Sequence, residues 1–280
     1  MTELSAAHDA AVTDRDRLAG SAYNGDRDLA ARQSLYQWQT PRHDLPGIVA
    51  EQLSAVRGRV VDVGCGNGKF IKRLRQDRPD LEVLGLDIAP GIFAGVPGPV
   101  AVADVARLPL ATASVDAALA LHMLYHTPDI PQAVRELSRV VTADGLLIAS
   151  TNSDRDKAEL DELWVRAAGD VLGTGRGPAR ISLSARFSLE KAPAFLGEEF
   201  GRVETIELPG TITVREAGPV VAHMASYQAW ADQHDVPFEA TIERAHTILD
   251  EHIARHGAFE IHCLGGILVC CRQRRRARSF

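Results

Sequence analysis

No apolar run in this chain of 280 residues approaches the roughly 20 residues that span a bilayer, and the N-terminus is polar and acidic, unlike a secretory signal. The expectation is a cytoplasmic protein without membrane engagement. Cysteine is scarce: Cys65, Cys263, Cys270 and Cys271 lack metal-ligand spacing and sit mainly in apolar strand contexts. That excludes a zinc site or disulfide frame and predicts reduced, packed thiols, with no metal expected. Positive charge is not in excess either. A net charge of -6 and a pI near 5.9 remove any general attraction to phosphate backbones, so nucleic acid is not expected as a partner. The local exception is Arg272, Arg274, Arg275, Arg276 and Arg278, which a solvated basic tail explains. Internal repeats and long low-complexity segments are also missing.

What is present is the make-up of an enzyme-like globular chain, 45% hydrophobic and 24% charged, long enough for one large domain with insertions. Residues 1–47 read as a helical lid segment, with an amphipathic stretch around Asp28 to Trp38 and a break at Pro41 and Pro46. Residues 48–152 alternate strand and helix patterns: strands over Arg59–Val63, Glu82–Asp87, Val100–Ala103, Val115–His122 and Leu146–Thr151, helices over Lys69–Gln76 and Ile130–Val141. Such alternation predicts an α/β fold with a parallel sheet covered on both faces. Asp129 and Gln132 form a capping box for the second helix, and Gly145 follows its end. Ile130, Ala133, Val134, Leu137 and Val141 make its apolar stripe. Residues 153–280 read as remaining strands with helical substrate-cap insertions. These comprise a helix from Asp156, a short one near Ser188, a strand Arg202–Leu208, helices Pro219–Asp232 and Phe238–His256, and a last strand Ala258–Cys271 interrupted by Gly265 and Gly266.

The chemistry begins where the strand Val60-Val61-Asp62-Val63 runs into Gly64-Cys65-Gly66-Asn67-Gly68 and then a helix. Glycines at alternate positions let the backbone turn sharply and approach a ligand that any Cβ would block. A dinucleotide site requires G-x-G-x-x-G, and here Lys69 stands where the third small residue belongs. Asp87 ends the next strand about 20 residues on, placed to accept both hydroxyls of a ribose. Asp104 follows the third strand, where a donor-rich adenine edge is within reach, or else serves as a turn residue. Asp62 either touches the cofactor or organises the turn through backbone hydrogen bonds.

Taken in order, Val61-Asp62-Val63-Gly64-Cys65-Gly66-Asn67-Gly68, Gly85-Leu86-Asp87, Ala103-Asp104-Val105, Leu121-His122 and the Arg135–Val141 segment with Gly145-Leu146-Leu147 resemble the class I S-adenosylmethionine-dependent methyltransferases, small-molecule branch. The resemblance runs from about Val60 to Thr151. It implies a Rossmann-like doubly wound sheet, mainly parallel with an antiparallel last strand, and S-adenosyl-L-methionine as cofactor. It places Gly64, Cys65 and Gly66 at the methionine part, Asp87 with Ile88 at ribose and adenine, and Asp104 with Val105 at the adenine amino group. Leu121 and His122 would close the pocket beside the sulfonium, and Tyr23 looks like the aromatic that a lid lays over the cofactor.

Methyl transfer is an in-line displacement, so aligning the acceptor and excluding water matter most. A hydroxyl or carbon acceptor also sheds a proton, which makes His126 the candidate base, against a structural hydrogen bond to its loop. Acceptor choice is expected outside the shared core: Tyr36 and Trp38, the helices after Thr151, and a loop with Arg176, Arg180 and Arg186 that offers guanidinium groups to an anion or simply faces solvent. The expected partner is a small-molecule methyl acceptor, with secondary metabolism one setting. Oxygen, nitrogen and carbon acceptors stay open, as do an NAD(P)-dependent oxidoreductase and a non-catalytic cofactor-binding protein.

Overall fold

The computed structural model describes residues 3–93, 95–233 and 235–272; Arg274, Arg275, Arg276 and Arg278 of the basic run lie outside them. Among the described residues one sheet contains β1 (Gln39–Thr40), β2 (Gly58–Val63), β3 (Leu81–Asp87), β4 (Val100–Val102), β5 (Val115–Leu121), β6 (Val141–Asn152), β7 (Arg202–Val214) and β8 (Phe259–Cys271), in the order β1-β7-β8-β6-β5-β2-β3-β4. Strands β2 to β6 pair in parallel, while β8 runs antiparallel to both β6 and β7. The central strands are buried on both faces: Val60, Val61, Ala117, Ala118 and Leu119 are all fully enclosed. That requirement explains their nearly unbroken apolar sequence.

Helices α1 (Glu3–Thr13), α2 (Arg15–Arg17), α3 (Arg27–Ser34) and α4 (Leu45–Gln52) precede β2. Next come α5 (Lys69–Asp77) and α6 (Ile130–Val140), then α7 (Ala158–Leu172), α8 (Ala192–Gly197), α9 (Gly218–Ala225) and α10 (Phe238–His256). Asp129 caps α6 as expected, accepting from the Gln132 amide at 2.8 Å, but the Gln132 side chain reaches the Ala106 carbonyl at 3.3 Å rather than closing the box. Ile130, Ala133, Val134 and Leu137 are buried as the stripe requires. The chain passes from Val140 directly into β6, so Gly145 lies in the strand and not at a helix end. A Cβ there would meet the Asp116 carbonyl oxygen at 2.6 Å.

Several expected boundaries move. β7 continues to Val214 because its pairing with β8 runs on to Val214 opposite Phe259. Gly265 and Gly266 do not interrupt β8; at Gly266 a Cβ would meet the Ile206 carbonyl and Leu189, each at 2.9 Å. The helix expected near Ser188 is a 3-10 turn Leu183–Phe187 followed by α8, which Pro193 starts. The helix expected over Pro219–Asp232 breaks after Ala225 and resumes as a 3-10 segment, Gln228–Gln233.

The N-terminal segment is tied to the molecule at both ends. Ala11, Val12, Leu18 and Ala22 are buried in the same core as Leu124, Ile130 and Trp230. Trp230 donates its indole N–H to the Ala11 carbonyl at 3.2 Å. Arg17 pairs with Asp232 at 2.5 Å, and β1 adds to the sheet edge against β7. No helix among the described residues is long and apolar enough to cross a membrane.

Candidate active site

A cavity of about 360 Å³ opens where the parallel strands end, walled by Val63 of β2, Asp87 of β3, Leu121 of β5 and Asn152 of β6. This is the side of a doubly wound sheet where ligands enter, since the loops diverge there. The glycine loop forms one wall. Gly64 has φ +73°, and a Cβ on it would lie 2.7 Å from Met123 Cβ; Gly66 has φ +51°. Both conformations are ones that L side chains rarely adopt. The loop is pinned from behind, because the Gly64 and Cys65 amides both donate to the Leu86 carbonyl, at 2.7 and 3.1 Å.

Asp87 reaches into the loop. Its Oδ2 accepts from the Gly66 amide at 2.8 Å and its Oδ1 from the Ala89 amide at 2.9 Å. Burial raises its pKa, while these amides work in the opposite direction. The carboxylate lines the cavity and, having about four acceptor sites, keeps capacity for a donor there, as a ribose hydroxyl requires. Ile88, Val105 and Asp104 continue the same wall. Asp104 is held twice: its Oδ1 takes the Ala106 amide at 2.9 Å and its Oδ2 pairs with Arg15 from α2. It therefore shapes a turn and lines the cavity together.

Asp62 does neither of the things expected of it. No backbone amide donates to it, and it lies behind the loop rather than on the cavity wall. Its carboxyl is 1% exposed, both oxygens lack a partner, and burial, reinforced by Asp87, pushes its pKa up to about 7. A carboxyl in that position costs least when protonated.

Every other expected site residue stands on the one cavity wall: Tyr23, Gly64, Cys65, Gly66, Asp87 and Ile88, then Asp104, Val105, Leu121, His122 and His126. His122 follows β5 with φ 54°, and burial, with Lys157 nearby, lowers its pKa to about 4. Its ring is neutral. The His126 ring is engaged on both sides. Nδ1 lies 2.9 Å from the Val12 carbonyl, which only accepts, so Nδ1 carries the proton and Nε2 accepts the Tyr23 hydroxyl at 2.8 Å. Burial lowers its pKa to about 4. The His126 ring lies parallel to Trp230 within 7° and 6.2 Å away. As it stands, His126 is a latch joining the lid to the post-β5 loop, with no free lone pair for an acceptor. Among the described residues no group of three potential metal ligands occurs.

The opposite end of the cavity is built from residues outside the motif-bearing core. Lys157, with φ 60°, ion-pairs with Asp156 in a fully buried position and lies 4.9 Å from the Tyr36 ring centroid. Burial works against the Lys157 charge, but the Asp156 carboxylate outweighs it and holds the ammonium protonated. Burial also pushes the Tyr36 hydroxyl up to about 12. Arg176 faces solvent in a pair with Glu162, whereas Arg180 is buried against Asp161 and Arg186 holds the Tyr125 and Thr127 carbonyls at 3.0 and 2.6 Å. The solvent-exposed reading thus holds for Arg176 alone. Arg32, Lys157 and Asp156 carry no local sequence signal that marks them as wall residues; each looks like an ordinary charge on or beside a helix.

The comparisons agree with this geometry. A family described as "Methyltransferase domain" matches residues 61–149. Malonyl-[acyl-carrier protein] O-methyltransferase of Hahella chejuensis is 34% identical over 113 residues, 38% of this chain and 40% of that protein, so the chain matches well under half of that relative's length. O-methyltransferase rstn1 of Aspergillus nomiae is 30% identical over 169 residues, covering 53% of this chain and 73% of the relative. In fold alone, the chain is similar to a solved Anabaena variabilis protein described as a methyltransferase from an antibiotic biosynthesis pathway, with TM-score 0.57, 17% identity, and coverage of 80% and 95% of the two chains. With the glycine loop, Asp87 at the end of its strand and these matches in agreement, this chain belongs to the class I S-adenosylmethionine-dependent methyltransferases.

Proposed function

We propose that the chain moves a methyl group from S-adenosylmethionine to an oxygen of a small molecule, with the tailoring of a secondary metabolite as the setting. The observation that carries this reading is the single chamber: Gly64, Gly66 and Asp87 wall one end, and Tyr36, Lys157, Arg180 and Tyr227, all outside the family-matched region, wall the other. The choice of oxygen rests on the two relatives named above, both O-methyltransferases.

The residues fit the cofactor on their own chemistry. A Cβ at Gly64 would press on Met123 of the cavity wall, and the Asp87 carboxylate stands on the same wall as the acceptor for ribose hydroxyls. When bound, S-adenosylmethionine supplies a methyl group on a positively charged sulfur, ready for displacement. The protein's part is positioning: the close-approaching glycine loop and Asp87 orient one reactant, and the cap residues orient the other. Tyr23 and His126 hold the lid across the chamber, which keeps water out. His122 and His126 are both weakened as bases by burial, so alignment contributes more than proton removal by either ring.

Titration calorimetry with S-adenosylmethionine, S-adenosylhomocysteine and NADH tests the cofactor. Binding of the two sulfur compounds with no response to NADH is expected, and tight NADH binding alone overturns the reading. A mass-spectrometric screen for methylated acceptors then tests turnover, with O-methyl products expected over N-methyl and C-methyl ones.

A further inference from the structure

The cationic side chains at the acceptor end of the chamber are not equally compensated. Lys157 has Asp156, and Arg180 has Asp161 at 2.8 Å. Arg15, nearer the adenine end, has Asp104. Arg32 is 8% exposed and has no carboxylate within ion-pair distance among the described residues. Its Nη1 makes one long contact, 3.5 Å to the Ser226 carbonyl, and its Nη2 has no partner. The Nη1 of Arg180 is likewise buried and unpartnered. Burying a guanidinium in this way is costly unless something completes its hydrogen bonds.

Aromatic rings hold both groups in place. The Arg32 guanidinium carbon lies 5.1 Å from the Tyr23 ring centroid, 5.5 Å from Tyr227 and 5.7 Å from Trp230. That of Arg180 lies 5.1 Å from the same Tyr227 ring. Ring faces stabilise a cation but accept no in-plane N–H bonds, so Nη2 of Arg32 and Nη1 of Arg180 keep donors for a planar acceptor. Both arginines belong to the cavity wall, and neither falls within residues 61–149 that match the family.

Resting on the methyltransferase reading, we propose that the methyl acceptor carries a carboxylate that is seated on Arg32 and Arg180 beside Tyr227. The charge balance around the Tyr227 ring selects a carboxylate over a phosphate: with Arg180 already matched by Asp161, the charge of Arg32 is the one left to neutralise there. The group is an anchor that sets which end of the acceptor faces the reacting methyl, and no bond to it changes.

The test uses the full chain saturated with S-adenosylhomocysteine, titrated by calorimetry with acetate, malonate, benzoate, phenyl phosphate and benzamide. At least one carboxylate is expected to bind about tenfold or more tighter than benzamide, and R32Q and R180Q are each expected to lose about tenfold or more of that affinity. Both variants should keep wild-type affinity for S-adenosylhomocysteine, and R176Q should keep both affinities. Without ligand, R32Q should melt above wild type, because an unpaired buried charge has been removed. If R32Q does not fold, R32K, which keeps the charge and loses the fork, is read in the same way. Equal binding of benzamide, silence toward every carboxylate, or unchanged affinity in both variants overturns the proposal, and tighter phenyl phosphate binding overturns the carboxylate in favour of phosphate. Failure of wild type to bind S-adenosylhomocysteine overturns the methyltransferase reading and, with it, the proposal that depends on it.

Discussion

The Tyr23 hydroxyl donates to His126 Nε2 at 2.8 Å, across 103 positions of sequence, while the other nitrogen of the same ring donates to Val12. One imidazole therefore closes the N-terminal segment onto the loop after β5.

Removing the Tyr23 hydroxyl in Y23F should cost about 1 kcal/mol, the net value of one hydrogen bond, while H126A leaves two partly buried partners unpaired at about 1 to 3 kcal/mol each. Amide hydrogen exchange should show the loss concentrated in residues 10–23. Protection there that matches wild type in H126A would remove the latch.

Three of the buried groups bear directly on the pH dependence of stability. Asp62, raised to about 7, stabilises the fold below the unfolded carboxylate value near 4 and loses that contribution as pH rises toward 7. The folded state binds the extra proton in that window, so stability falls with pH. His122 and His126, lowered to about 4, act oppositely: their contribution is full above about 6.5 and is lost as pH falls toward 4, because the unfolded chain takes up the protons first. D62N should gain on wild type by up to about 1.4 kcal/mol per pH unit between roughly pH 4 and 7. Urea midpoints for the two proteins at pH 5 and pH 8 check this, and a difference that does not change with pH contradicts it.

Asp87 accepts from the Gly66 and Ala89 amides, and on the proposed function it also accepts from the ribose hydroxyls, so D87N should weaken S-adenosylhomocysteine by about 1.5 to 3 kcal/mol for each charged hydrogen bond lost. Calorimetry reads this directly. Unchanged affinity would mean that the ribose is held elsewhere.

Gly64 has φ +73° and almost no room, so G64A should cost about 1 to 2 kcal/mol in backbone strain alone, with the Met123 contact adding to it. Gly175, where an added methyl would meet nothing within 4 Å, is the control, and G175A should leave the melting temperature nearly unchanged. Equal melting of G64A and wild type would show that the loop rearranges freely.

The parallel core was legible because its physics is local. Val60-Val61 and Val83 to Leu86 must be apolar on both faces, Gly64 must turn, and Asp87 must follow at the strand end, so each requirement leaves its mark within a few residues. The Asp129 cap was readable for the same reason, since donor and acceptor are three residues apart. Boundaries such as the end of β7 were less so, because pairing with β8 extends a strand past the point where its own composition weakens.

The sequence by itself determined the fold class and the half of the chamber that suits the cofactor, because backbone geometry and strand-end position are written in short motifs. Only the tertiary structure decided what the other residues do. Asp62 lies behind the loop and His126 is occupied on both nitrogens because of neighbours brought in from far along the chain. The buried pair Arg32 and Arg180, 148 positions apart along the chain, meets at the Tyr227 ring for the same reason. Whether a charge is solvated or enclosed depends on long-range packing, and a guanidinium looks alike in sequence either way.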